Sequence, residues 1–508
     1  MASNHSSDRV TVCDDPLVIA ISPQYLSTYC HYCLIRFNKL LQCGNCKYSR
    51  YCSKVCQRLD WKYIHRQECP YLQAIGPTAL QRALQFYGRD LTEDSKRLCH
   101  MHAMLIFRLR VLQKSAELDK AKGQYTDRRF DDLPAHREDI VESYFTSSDL
   151  RVLALVLRNV FCNVFDTAVD NENINFCLDL VGRTIYNRHG LYDWKPSGSF
   201  FAYGSAISLD LSAYSHSCWP TANIFTSGRS AYVVPIDANT DTHDFQTVKV
   251  SRMCTQQTKL ELANLHILRY SSNEGCWCSH CEETGDTGAS LKCHQCGSAV
   301  PLAVTGGTYD FETTQCLQCG SAIPFENRER IQFLFDGVSY MRKYNTAASA
   351  DLNFLKEIEE EGETLLASDN WYLGILRWYI IQRIISEPQN QSLQYLATLW
   401  EKFSDHTLYP SAACAEFLHR YLCAAFILTE VGNFAKAERQ LEKIDSTIAK
   451  SFAIARLDSP FADLLAYLRK CVRLNRPAKG FFDWYGQREN LELSLSSIIN
   501  DVEQHEIS

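Results

Sequence analysis

The groups in this chain best equipped for chemistry are thiols. Of its 508 residues 23 are cysteines, and most stand in short-spaced sets. The first set is Cys30, Cys33, Cys43, Cys46, Cys52, Cys56, His65 and Cys69. Eight nitrogen and sulfur donors make two tetrahedral sites, because structural zinc takes four such ligands. A two-residue gap lets both thiolates of a pair reach one ion from a tight knuckle. Cys52 and Cys56, like His65 and Cys69, are four apart, which predicts each pair on one side of a helical turn. The second set, Cys276, Cys278 and Cys281, leaves one tetrahedral position to fill. Its candidate is Cys218, in Ser215-His216-Ser217-Cys218-Trp219-Pro220. The third set is Cys293, Cys296, Cys316 and Cys319, a ribbon pattern in which Gly297 and Gly320 suit the turn after each knuckle, where backbone amides point at the sulfurs. Together these residues predict up to four zinc ions. A zinc-dependent hydrolase does not fit, since every set is saturated with thiolates and keeps no open position. The remaining cysteines, among them Cys99, Cys414 and Cys423, read as small core residues.

The elements that must position these ligands change character along the chain. Helical periodicity runs from Thr78 to about Cys162, as in Leu105, Phe107, Leu109, Val111 and Leu112. From about Ile185 to Val250 the pattern turns to short apolar runs broken by Gly, Ser, Asn and Asp, with strands and loops expected over Tyr203 to Ser217 and Ala231 to Ile236. The second cysteine-rich tract spans 276 to 319, and after Pro324 the chain is helical again to about Leu493. Leu418 to Ile444, punctuated by Gly432-Asn433-Phe434, reads as a helix-turn-helix unit of the tetratricopeptide kind. The acidic run Glu357 to Glu363 reads as a solvated helix face. These textures predict an α+β chain of several domains.

Composition narrows the partners. With 46% hydrophobic and 22% charged residues the chain is ordinary globular protein. Met1 to Arg9 is polar, without the apolar core of a signal peptide, and no uninterrupted apolar run is long enough to span a membrane. Cysteines at metal-ligand spacing in such a chain point to zinc in a reducing compartment, hence an intracellular location. Net charge is −7, yet residues 30 to 70 hold eight Lys or Arg against Asp60 and Glu68. That basic surface suits acidic protein segments. Nucleic acid is a poor fit, because neither aromatic interleaving nor a groove-reading helix accompanies it.

The first cysteine set resembles the MYND zinc finger over its whole length. The resemblance implies cross-braced ligation, with Cys30, Cys33, Cys52 and Cys56 on one ion and Cys43, Cys46, His65 and Cys69 on the other. It also implies a module that binds proline-rich peptides. The pairing of Cys218 with Cys276, Cys278 and Cys281 resembles the SET domain, where a cysteine of an Asn-His-Ser-Cys motif shares a zinc with three post-SET cysteines. The combination is similar to the SMYD family of protein-lysine methyltransferases, over roughly residues 14 to 282. That resemblance implies a shortened start of the SET core (1–29), the MYND finger (30–69), a helical insert (70–160), SET and post-SET (161–282), a zinc ribbon (283–324) and a helical tetratricopeptide-like domain (325–508). It further implies S-adenosylmethionine as cofactor, histone or other lysines as substrate, a role in gene regulation, and residence in nucleus and cytoplasm.

By the same resemblance, Asn163 in Cys162-Asn163-Val164-Phe165 and Ser212, Ser215 and His216 fall on cofactor contacts. Four departures stand against activity. The Gly-x-Gly strand-turn that opens the family pattern has no counterpart before Cys13-Asp14-Asp15-Pro16-Leu17. Ser215 replaces the motif asparagine and Thr221 the second one, and a serine reaches less far with fewer hydrogen bonds. The register Val248-Lys249-Val250-Ser251 puts a serine where the SET tyrosine belongs, and Ser272 and Asn273 stand where aromatics are usual. Two readings follow: an active lysine methyltransferase using Tyr203, Tyr214 or Tyr270 as channel aromatic, or a SET-fold scaffold that works by binding proteins.

Overall fold

The computed structural model describes residues 11–13, 16–162, 164–165, 171–194, 200–217, 219–236, 240–250, 279, 285–305, 308–344, 346, 350–386, 393–405, 415–449 and 459–482. Short strands β1 (Thr11–Cys13), β2 (Val18–Ile21), β3 (Leu41–Gln42) and β4 (Arg50–Tyr51) lead into helix α1 (Lys54–Asp60). A π-helical turn over Trp61–His65 joins α1 to α2 (Arg66–Ile75). Helices α3 (Ala79–Tyr87), α4 (Glu93–Lys114), α5 (Arg137–Thr146), α6 (Ser148–Val160) and α7 (Asn171–Asn187) follow. Both α4 and α6 start on a serine or threonine cap: Thr92 accepts from Ser95 N–H and Ser147 from Leu150 N–H.

The strands after α7 form two sheets. β5 (Arg188–Trp194) and β6 (Phe200–Ile207) pair antiparallel, and β2 closes that sheet on the far side of β6. The second sheet runs in the order β1, β9 (Ser230–Pro235), β8 (Ala222–Ser227), β10 (Lys249–Val250), β7 (Ser215–His216). Within it β10 lies parallel to both neighbours, Val250 facing His216 on one side and Ala222 on the other. A third sheet, β11 (Asp286–Lys292), β12 (Ala299–Thr305) and β13 (Thr308–Asp310), makes the ribbon.

Helices then run from Phe325–Tyr344 through Leu352–Leu365, Trp371–Ser386, Leu393–Asp405, Ala415–Glu430 and Phe434–Ala449 to Ser459–Arg473. The expected helical hairpin is present, its turn closed by Gly432 at φ 77°. Two cores result. One joins the finger, α2 to α7 and β2 through residues such as Phe107, Phe161 and Ile207. The other joins the ribbon residues Leu291, Leu302 and Tyr309 to the later helices. Among the described residues no helix is long and apolar enough to cross a membrane.

Three expectations need correction. Cys52 is not on a helix: it precedes Ser53, the cap whose hydroxyl accepts the Cys56 N–H at 3.2 Å. The acidic run is a solvated face only in part: Glu357 and Glu360 are exposed, but two other members are not free in solvent. Glu359 is buried and accepts from Arg377 at 2.9 Å, and Glu363 accepts from the same guanidinium at 2.7 Å. Glu359 turns inward, and Glu363 partly so, because an arginine 14 to 18 residues away supplies the counter-charge. Helix α7 also occupies the tract between Cys162 and Ile185, where no element was expected.

Candidate metal centres

The finger's ligands converge as two tetrads, Cys30, Cys33, Cys52 and Cys56 in one and Cys43, Cys46, His65 and Cys69 in the other, with donor atoms of each group within 4.8 Å of one another. Zinc–sulfur bonds of about 2.3 Å place tetrahedral sulfurs about 3.8 Å apart. Cys33 and Cys52 sulfurs are 3.8 Å apart, as are those of Cys43 and Cys69. Each knuckle closes with the same hydrogen bond, from the amide four residues on to the carbonyl of the first cysteine. Leu34 donates to Cys30 at 3.0 Å and Lys47 to Cys43 at 3.2 Å. That geometry needs a left-handed residue, and Leu34 (φ 59°) and Lys47 (φ 58°) adopt it without being glycine.

His65 links the second tetrad to the rest of the fold. Its Nε2 lies 3.3 Å from Cys43 Sγ while Nδ1 faces Glu68 Oε1 at 3.0 Å. Glu68 takes two hydrogen bonds from Arg108 of α4, Nε at 2.8 Å and Nη2 at 3.1 Å, and Arg108 also donates to the Ile19 carbonyl of β2. His65 and Glu68 are wholly buried. Burial alone would raise the Glu68 carboxyl, but Arg108 overrides it and brings it to about 2. Burial raises neighbouring Asp60 to about 6, with Glu68 adding to the effect; Asp60 accepts from Tyr51 OH at 2.7 Å. A carboxylate that holds the second nitrogen of a ligating histidine fixes its tautomer and ring orientation.

The finger is gripped from the other side too. Arg229, at the tip of the β8–β9 hairpin, lies between the rings of Tyr32 (4.6 Å) and Tyr63 (4.5 Å) and donates to the Tyr32 carbonyl at 3.2 Å. Tyr29 stacks on Tyr203 at 4.0 Å and donates to Asp193 at 2.5 Å.

The ribbon's Cys293, Cys296, Cys316 and Cys319 form a third tetrad, with Cys293–Cys319 at 3.5 Å and Cys296–Cys316 at 3.6 Å. Its knuckles close like those of the finger, Gly297 donating to Cys293 (2.9 Å) and Gly320 to Cys316 (2.8 Å). Here the left-handed residue is glycine, at φ 74° and 72°. The Ser321 hydroxyl and nearby amides hold the Cys293 thiol down at about 5, and the Ser298 hydroxyl lowers Cys316. Cys218, Cys276, Cys278 and Cys281 lie outside the described residues, as do Asn163, Ser251 and Tyr270.

The remaining cofactor candidates sit on β7 and the turn before it. Ser212 is buried and its hydroxyl donates to Leu209 O at 2.5 Å, while Arg128 donates to the Ser212 carbonyl at 2.7 Å. Ser215 is exposed and His216 half-buried. Tyr203 and Tyr214 are 2% and 0% exposed. Tyr203 OH reaches the Leu34 carbonyl of the finger at 3.4 Å, and Tyr214 OH donates to the Thr242 carbonyl at 2.7 Å. Tyr203 lies at the seam between finger and sheet, and Tyr214 lies in a small core with Val233 and Val250. The residues that sequence reasoning missed are Glu68, Arg108 and Arg229, whose partners are far along the chain. Ser298 and Ser321 carried a visible signal, the repeated hexapeptide Cys-x-Gln-Cys-Gly-Ser at 293–298 and 316–321.

Comparison with known proteins agrees with this geometry. Residues 30–69 match the MYND finger family model, a protein-interaction module. The chain is 24% identical over 231 residues to SET domain-containing protein 14 of Caenorhabditis elegans, covering 43% of each. It is 23% identical over 205 residues to N-lysine methyltransferase SMYD2-A of Danio rerio, covering 40% of each. It is 26% identical over 200 residues to human histone-lysine N-methyltransferase SMYD1, covering 39% of this chain and 34% of that one. The matched segments thus span about two-fifths of these relatives' length or less. The class is a zinc-binding MYND-finger protein of mixed helix and sheet. Within it, the chain is similar over part of its length to SMYD and SET-domain proteins.

Proposed function

We propose that this protein is a catalytically impaired SMYD-type scaffold, acting in nucleus and cytoplasm by capturing proteins for gene regulation rather than by transferring methyl groups. The observation that carries the reading is the pair Tyr203 and Tyr214. Both residues are buried and both hydroxyls are engaged by backbone carbonyls rather than presented to solvent. S-adenosylmethionine, when bound in a SET enzyme, supplies the methyl group for direct displacement by a neutral lysine. Two further points support weak cofactor binding: Ser212 directs its hydroxyl to Leu209 O, and Ser215 reaches less far than the asparagine it replaces. A few hydrogen bonds worth ~0.5–1.5 kcal/mol each reach only about millimolar affinity. Titration calorimetry of the full chain with S-adenosylmethionine tests this. A micromolar dissociation constant, or tritiated methyl transfer to histones that His216→Ala abolishes, establishes the alternative, an active lysine methyltransferase, and ends the scaffold reading.

Zinc in the finger and ribbon, with a further ion on Cys218, Cys276, Cys278 and Cys281, holds the scaffold. The finger carries the partner surface. Lys54 and Arg58 are exposed beside Val55, Leu59 and Trp61, so acidic or proline-rich segments meet both charge and apolar area. Lys54→Glu with Arg58→Glu should slow partner capture several-fold and flatten its salt dependence. Unchanged capture and salt response in a pull-down from the full chain would remove the finger as the docking face.

A further inference from the structure

The ribbon tetrad differs from the finger in what surrounds its sulfurs. Its two knuckles repeat one hexapeptide, and the structure repeats with it. Cys293 N–H donates to Ser298 O and Cys316 N–H to Ser321 O, both at 2.9 Å. Ser298 Oγ lies 2.9 Å from Cys296 Sγ in its own knuckle and 3.2 Å from Cys316 Sγ in the other. Ser321 Oγ lies 3.2 Å from Cys319 Sγ in its own knuckle and 3.1 Å from Cys293 Sγ in the other. Each hydroxyl therefore straddles the two knuckles, and between them they reach all four sulfurs.

Four thiolates around a divalent ion leave a net charge of −2, and hydroxyl donors aimed at the sulfurs offset that charge. Backbone amides already serve Cys293 and Cys316 from within each knuckle, so the serines are a second set of donors that couples one knuckle to the other. Cys296 and Cys319 are exposed, so the ion's outer side is reachable from solvent. The inner side is not. Cys293 follows β11, whose Ser290 carbonyl accepts from Ala367 N–H at 3.1 Å and Asn370 Nδ2 at 2.9 Å, and Ile323 beyond the second knuckle joins the core of the later helices.

We propose that the knuckles 293–298 and 316–321 form a pseudo-symmetric clasp for one tetrahedral thiophilic ion, zinc, in which Ser298 and Ser321 are equivalent positioning residues. The ion fastens the ribbon onto the helical array, and its exposed side makes it the most readily released of the metal sites described here. The inference rests on the cluster being a zinc site and is independent of whether the chain methylates anything.

The test uses the full chain as purified. N-ethylmaleimide labelling read by peptide mass spectrometry should leave Cys296 and Cys319 protected until a chelator is added, despite their exposure. Equal labelling before and after chelation overturns the site. Ser298→Ala and Ser321→Ala should each speed zinc transfer to 4-(2-pyridylazo)resorcinol about tenfold, within the range known for groups that orient metal ligands. The two rates should match; wild-type rates in both overturn the role given to the serines. Cys296→Ser with Cys319→Ser should lose one zinc equivalent and lower the melting of the helical array. His65→Ala should instead spare the ribbon ion, which separates this site from the finger. Should the cysteine variant fail to fold, the labelling of the native chain decides alone.

Discussion

The finger's second tetrad and the ribbon's tetrad share the two-residue knuckle and the same closing hydrogen bond, yet they are fixed by different means. In the finger, Cys43, Cys46, His65 and Cys69 are all buried, whereas in the ribbon Cys296 and Cys319 are exposed. The finger's centre is wired into the fold through His65, Glu68, Arg108 and the Ile19 carbonyl, so its own helix, α4 and β2 meet behind it. The ribbon's centre is supported by serines of its own two turns. Ligand spacing therefore reports that a metal is held. How far its loss propagates depends on what stands behind the ligands.

The largest expected effect breaks the finger's side of this comparison. Arg108→Met leaves Glu68 charged, buried and supported only by His65. Removing one partner of a buried ion pair costs about 3–5 kcal/mol. Urea unfolding should show that loss, together with lower zinc content. A change under about 1 kcal/mol would mean that Arg108 does not support the site, since ordinary surface substitutions stay within that range. An excised finger ending at residue 75 lacks Arg108 and should share the defect.

The next effect separates the knuckles. Gly297 stands at φ 74° with nothing within 4 Å of where a Cβ would lie, so Gly297→Ala meets only the left-handed penalty of roughly 1–2 kcal/mol. Lys47 already bears that penalty on the exposed surface, so Lys47→Gly should offset part of it and stabilise the chain. Thermal melting of the two variants in opposite directions is the expected result. Shifts of the same sign would show that the knuckles are not equivalent turns.

What was legible in the sequence was local. Ligands three or four residues apart announce themselves because one turn brings them together, which is why the finger's ligand pairs and the ribbon tetrad could be read from spacing, whereas the division of the finger's eight donors into two tetrads came from the MYND resemblance. The helix-turn at Gly432 was visible for the same reason. Glu68 and Arg108 are 40 residues apart, and no periodicity links a carboxylate on a zinc-bearing helix to an arginine on α4. Within the Glu357 to Glu363 run, Glu357 and Glu360 are solvated as expected, but Glu359 and Glu363 looked solvated only because Arg377 and Lys402 are placed by packing. Cys52 was put on a helix by its spacing from Cys56, but Ser53 captures the first turn as its cap and leaves the cysteine outside. Tyr203 and Tyr214 were read as channel candidates from type alone, and their burial depends on which strands pair.

The smallest effect sharpens the comparison by examining an ion pair with no metal behind it. Glu363 accepts from Arg377 and from Lys402, but its side chain is 36% exposed. Burial pushes its carboxyl up, and the hydrogen bonds from Lys402 and Arg377 override that and leave it below its usual value. A depressed carboxyl contributes stability that is present above the unfolded pKa and lost as pH falls through the folded one. Glu359 has the opposite sign: burial outweighs Arg377 and raises it, so it protonates first on acidification and contributes no such loss. Glu363→Gln should therefore cost about 0.5 kcal/mol at neutral pH after allowance for solvent screening, and progressively less as pH falls through the depressed folded-state pKa, below which the carboxyl is neutral in both states. Melting of the variant and the parent chain across that range measures it. If the loss at neutral pH instead rivals that of Arg108→Met, charge pairing alone accounts for the finger's support, and the contrast between the two metal centres fails.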